Sequence, residues 1–140
     1  RDLIVAAHHK LTREWWERHR AGYGLYTSKY VLAELSLAPG DKAKRGTALL
    51  RDVALLENPP GFREVVAFYI EQHLMPADAE GDAAHLALAS MHNMDYLLTW
   101  NCRHLANANK IQHLTVLNGR LGLPVPVVTT PLTLMPEEIP

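Results

Sequence analysis

Two carboxylates stand where a chain of this composition would not ordinarily place them. Glu34 interrupts the apolar stretch Tyr30-Val-Leu-Ala-Glu34-Leu, and Asp82 heads the run Ala83 to Met91, in which only His85 and Ser90 are polar. A carboxylate on an apolar helix is costly unless it is paired, hydrogen-bonded or bound to a cation. Convergent carboxylates with open coordination positions are what hard divalent ions such as Mg²⁺ or Mn²⁺ require. Such ions polarise a phosphodiester and lower the pKa of an attacking water. Plainer roles exist for both acids. Glu34 can be a helix residue whose carboxylate reaches water, and Asp82 can stabilise the positive end of its helix by about 0.3–1 kcal/mol. Taken singly, each acid fits the plainer role.

The other reactive side chains lead less far. Among 8 histidines, His85 and His92 share a helical face with Asp82, but no second pair has a tight metal-binding spacing, and the single cysteine, Cys102, argues against the zinc frameworks. His85, one turn from Asp82, reads as a packed residue supporting it, and His8-His9 as a surface pair. Trp15-Trp16 could stack nucleobases, but a tryptophan at a helical core position is more often packing, and Trp16 would mark a partner surface. Lys42, Lys44, Arg45 and Arg51 form the densest basic cluster, a solvated helix face or a phosphate guide. Arg103 is better placed to touch a substrate near the acids. Ser36 and Cys102 lack a base partner. There is no glycine-rich phosphate loop and no dinucleotide fingerprint.

The elements that would position these groups follow from periodicity. Ile4, Ala7, Leu11 and Trp15 predict a helix over residues 2 to 20. Leu25 to Thr27 reads as a brief strand, Ser28 as the cap of a helix from Lys29 to Leu37, and Pro39-Gly40 as its stop. Asp41 can cap a further helix, while Leu55-Leu56 is helix or strand. A helix follows from Phe62 to Leu74, then Asp78 as cap of the apolar central helix. Tyr96 to Leu98 reads as strand, Arg103 to Leu121 as a helix with a break near Asn107–Asn109, and Val125 to Thr129 as a last strand. Short strands alternating with helices predict an α/β fold, a mostly parallel sheet with helices on both faces. In such sheets reactive groups gather beyond the carboxyl ends of the strands.

At 140 residues the chain reads as a single domain, 1–140. A net charge of -1 argues against a general duplex-coating protein, though not against an enzyme meeting nucleic acid at a local site. The lone cysteine favours a reducing, cytoplasmic setting. No apolar run approaches the roughly 18 residues of a membrane helix.

Asp82-Ala-Ala-His-Leu-Ala-Leu-Ala, followed by Tyr96-Leu-Leu-Thr99-Trp-Asn101, resembles the second half of a PIN domain, most closely the toxin-like (VapC-type) ribonucleases of bacteria and archaea. Val31-Leu-Ala-Glu34-Leu-Ser resembles the helix carrying that family's second acid. Val128-Thr-Thr-Pro131 with Leu134 resembles its closing strand and turn. The resemblance spans residues 25 to 135 and implies a three-layer α/β/α sandwich with a short, mostly parallel sheet. It further implies a metal-dependent endoribonuclease acting on RNA, with Mg²⁺ or Mn²⁺ held by Glu34 and Asp82. Thr99 and Asn101 correspond to the family's Thr-X-Asn motif and would position water or phosphate. A homodimer and a small antitoxin protein that blocks the site belong to the same implication.

Two departures from the family pattern stand out. The family's first acid ends its first strand. No such strand is expected before Asp2, which puts that strand and its Asp upstream of Arg1 and makes the domain N-terminally incomplete. Where many members carry a further Asp, this chain has His104. Asp95 is no substitute: four residues of strand set it about 13 Å from the end at Thr99. These departures keep a second expectation in view, a catalytically silent PIN-like module that binds RNA or protein. A phosphoacceptor domain would instead need a single essential Asp at a strand end, and none is found.

Overall fold

Leu3, Ile4 and Val5 are three consecutive apolar residues, all fully buried. An apolar run without alternation suits a strand that meets water on neither face. Leu3 and Val5 pack with Val31, Leu35, Leu50 and Leu98 on one side of the sheet. Ile4 packs with Leu97, Val128 and the larger cluster on the other. That alternation makes Asp2–Val5 the strand β1, where the sequence pattern predicted helix. A helical stripe through Ile4 and Ala7 would have left Leu3 and Val5 off its apolar face; a strand between two neighbours buries all three. The computed structural model describes residues 2–5, 22–37, 39–41, 44, 47–48, 50–76, 80–99, 105 and 107–130. The rest of the helix expected up to residue 20 lies outside them, as do the tryptophan pair, His8-His9 and the Asp78 cap.

In chain order the elements after β1 are β2 (Gly24–Thr27), α1 (Lys29–Ser36), β3 (Ala54–Leu55), α2 (Phe62–Glu71), α3 (Glu80–Met91), β4 (Tyr96–Leu98), α4 (Ala108–Leu121) and β5 (Val127–Thr129). The five strands form one sheet in the order β3-β2-β1-β4-β5, and every pairing is parallel. The register sets Leu3 beside Leu25 and Tyr96, and Leu98 beside Val5 and Thr129. The Leu55 ambiguity resolves as strand: Ala54 and Leu55 pair with Tyr26 and Thr27, and Leu56 N–H donates to Thr27 O at 2.9 Å.

Local chemistry fixes the helix ends. Ser28 has extended backbone and its hydroxyl accepts from Val31 N–H at 3.3 Å, so α1 starts where the sequence places it. The helix expected to reach Leu74 stops at Glu71, because His73 turns left-handed (φ 60°) and Leu74 N–H folds back onto Tyr69 O at 2.9 Å. The expected break near residues 107 to 109 is a start. Asn107 accepts from Asn109 N–H at 3.0 Å and caps α4, which ends at Gly122 in the left-handed conformation.

Helix α3 supplies the centre. Ala83, Ala84, His85, Leu86, Ala87, Leu88, Ala89 and Ser90 are all buried, as an apolar-all-round helix requires. It packs against α2, β4 and α1. Three helices are tied by polar groups inside this layer. Tyr69 of α2 donates to Asn118 of α4 at 2.5 Å, and Asn118 donates to Ser90 of α3 and to Pro124 O, each at 2.9 Å. The result is the three-layer α/β/α arrangement. No helix among the described residues is long and apolar enough to cross a membrane.

Candidate active site

In a parallel sheet, a helix leaving one strand and a helix entering the next both place their first turns beyond the strands' carboxyl ends. Here α1 leaves β2, and α3 enters β4. Glu34 lies in the second turn of α1 and Asp82 in the first turn of α3. What turns Glu34 toward α3 is the face it shares with Tyr30, one turn earlier. Tyr30 packs onto the large core cluster and stacks on Phe62 of α2 with ring centroids 5.7 Å apart. Val31 and Leu35, on the adjoining face, point into the other cluster.

Thus oriented, Glu34 meets His85. The Glu34 Oε1 to His85 Nε2 separation is 2.9 Å, with the imidazole 1% exposed and the glutamate side chain 48% exposed. A carboxylate oxygen can only accept, so the ring donates through Nε2–H. The other ring nitrogen, Nδ1, is buried without a partner among the described residues. Four residues before His85, on the same helical face, Gly81 makes room: a Cβ built there would lie 3.1 Å from Glu34 Oε1. Glu34 therefore rests against the opening turn of α3, between a glycine that admits it and a histidine that holds it.

Asp82 follows Gly81 directly and is half-buried. It joins Glu34 at this end of α3. Thr99 continues from β4 at the carboxyl edge, 1% exposed, its N–H donating to Thr129 O at 2.8 Å. Asn101, Arg103 and His104 lie outside the described residues. Among those described, no group of three or more His, Cys, Asp or Glu is placed to hold a metal ion. The features that suit a hard cation are narrower: one carboxylate held by a single hydrogen bond in a glycine-lined cradle, with a second acid next to that glycine.

The remaining expectations separate cleanly. Asp95 sits at the amino end of β4, where its side chain accepts from Asp2 N–H at 2.9 Å and its backbone bonds Asp2 O and Val127 N–H. It closes the far edge of the sheet, as its distance from Thr99 required. His92, at the end of α3, bonds Glu57 O at 2.7 Å and pins a loop. The strand that carries the family's first acid was expected upstream of Arg1, yet β1 already occupies the middle of the sheet. By sequence its carboxyl end runs into Ala6-Ala7-His8-His9, none of them a carboxylate. The Glu34–His85 pairing was not legible in the sequence. Its faint signals were the histidine within an apolar run and the glycine four residues before it.

Beside the acids runs an open groove of about 900 Å³ between α1, α2 and α3, lined by Tyr30, Phe62, Val66, Ile70, Gly81 and Ala84, with Arg63 and Glu71 on its rim. Gly81 belongs both to this groove and to the Glu34 cradle.

No family model matches the chain, and no curated protein matches it. Among solved structures it is similar to a chain of VapBC2 from Rickettsia felis, determined bound to a DNA fragment from their promoter. The two share 12% identity over 93% of this chain and 98% of that one, with a TM-score of 0.51. The likeness is one of fold. It supports the PIN-like α/β/α sandwich that the motifs around Glu34, Asp82 and Thr99 implied.

Proposed function

We propose that this protein is a metal-dependent endoribonuclease that hydrolyses RNA phosphodiester bonds, acting as the toxin of a toxin–antitoxin pair. The observation that carries the reading is the Glu34 carboxylate, held at 2.9 Å by buried His85 against the turn that bears Asp82. Glu34 and Asp82 would hold Mg²⁺ or Mn²⁺ beyond the carboxyl ends of the strands. The ion, when bound, supplies positive charge that polarises the phosphodiester and acidifies a bound water. Thr99 and Asn101 would orient that water or the phosphate from the carboxyl edge of β4. The structural likeness to VapBC2 supports an antitoxin partner, and the groove reaching Gly81 is where a blocking segment would meet the acids. A homodimer belongs to the same reading.

The experiment is cleavage of single-stranded RNA by the protein in Mn²⁺ or Mg²⁺ and in EDTA. Cleavage should require the ion and should be lost in Glu34→Gln and Asp82→Asn, with circular dichroism unchanged. Normal cleavage by both variants sinks the proposal.

A second reading is favoured by one observation, the absence of a carboxylate in the sequence directly after β1. The protein would then be a silent PIN-like module that binds RNA or protein. Isothermal titration with Mn²⁺ separates the two, since the module should take up no ion.

A further inference from the structure

We infer that His85 and Gly81 together form a positioning device for Glu34, presetting the carboxylate for a divalent cation. The inference rests on the metal-dependent reading above and adds to it two residues that contact neither cation nor RNA. Three observations carry it. First, His85 is 1% exposed, yet one ring nitrogen is spent on Glu34 and the other has no partner among the described residues. A buried imidazole serving packing alone would be better replaced by an apolar side chain of similar size, because an unpaired buried polar atom is destabilising. Among the described residues, the bond that offsets this is the one to Glu34. Secondly, Glu34 is half-exposed on a flexible stem, so without that bond its carboxylate would sample many rotamers; Nε2–H, 2.9 Å from Oε1, favours the one that lies against α3. Thirdly, Gly81 has no turn to make and no positive φ, yet it stands within a helix. A Cβ there would come within 3.1 Å of Glu34 Oε1, so any larger residue would press the carboxylate out of its present place.

Holding a ligand through a neighbour is how metal sites set orientation, and loss of such a neighbour typically weakens metal affinity by about 10- to 100-fold. The test uses Mn²⁺ as the probe and isothermal titration as the readout, with thermal melts in EDTA to report folding. His85→Leu should weaken Mn²⁺ binding by about 10-fold or more, while His85→Gln, whose amide nitrogen reaches the place of Nε2, should restore binding to within about 3-fold of the parent. Gly81→Ala supplies an independent arm that does not threaten folding. It should weaken Mn²⁺ binding by pushing Oε1 aside, while the EDTA melts confirm that the fold is intact.

Glu34→Gln is the control for the underlying reading. If it binds Mn²⁺ like the parent, the metal site itself is wrong and this inference goes with it. If Glu34→Gln loses the ion but His85→Leu and Gly81→Ala keep parental affinity, the metal site stands and the positioning device is overturned. Equal weakening by His85→Leu and His85→Gln would likewise overturn it, showing that ring shape and not the donor matters.

Discussion

At the scale of single residues, the two acids differ in what their loss should do. Asp82 sits in the first turn of α3 beside the Glu34 cradle. Like charges gathered at one place repel when no cation is present, so Asp82→Asn should leave metal-free stability unchanged or raised. It should also shrink the thermal stabilisation produced by Mn²⁺. Melts with and without the ion check both signs; a dipole partner of the helix would show lower stability in EDTA and an unchanged response to metal. Glu34 has a structural duty as well, because it is the acceptor for buried His85. Glu34→Ala should therefore cost about 1 kcal/mol in urea unfolding, at the low end for an orphaned donor because the half-exposed site admits water. Glu34→Gln, whose amide oxygen still accepts, should cost much less.

At the scale of elements, the molecule depends on the polar knot of Tyr69, Ser90 and Asn118 that joins α2, α3 and α4. Asn118 is fully buried and makes three of the knot's bonds. Asn118→Leu should destabilise by about 2 kcal/mol, read from denaturant midpoints, since it strands Pro124 O and leaves the Tyr69 and Ser90 hydroxyls only their long 3.5 Å contact with each other. Tyr69→Phe should cost closer to 1 kcal/mol, as Asn118 keeps Ser90 and Pro124. Burial raises the Tyr69 pKa above its ordinary value, outweighing the opposing hydrogen bonds from Ser90 and Asn118. The folded state thus disfavours phenolate, and the unfolded chain ionises first. Stability is insensitive to this group below about pH 10 and falls as pH rises beyond it. Tyr69→Phe should remove that part of the alkaline slope in pH-dependent melts.

Much of this architecture could be read from residue patterns, for reasons specific to each element. Residues 83 to 91 announced a buried helix because almost nothing in them prefers water. Ser28 announced the start of α1 because its hydroxyl satisfies an otherwise orphaned N–H. The site's two acids were visible as carboxylates in apolar surroundings. Asp2–Val5 was misread because Ile4 and Ala7 fit a helical stripe by chance, and only partners distant in sequence, at Leu25 and Leu97, reveal a strand. The Glu34–His85 bond was hidden for the same reason: 51 residues separate its ends, and no local periodicity encodes a contact between two helices.

At the scale of the whole molecule, a sheet with every strand parallel gathers its reactive edge on one side. Binding there should stabilise the entire cooperative unit. Mn²⁺ at about 100 times its dissociation constant should add about 2.7 kcal/mol by mass action alone. The shift in melting temperature should grow with the logarithm of ion concentration and vanish in Glu34→Gln. A shift that persists in that variant would locate the ion elsewhere.

The close approach of Gly81 to Glu34 also has a consequence for how such sequences can vary. A lineage that replaces Gly81 by alanine sets a methyl 3.1 Å from Oε1 and should shift the carboxylate by a few tenths of an ångström, and a bulkier residue should press it further from His85. One that loses the donor at position 85 is free to fill position 81. Positions 34, 81 and 85 should therefore vary together among chains of this fold.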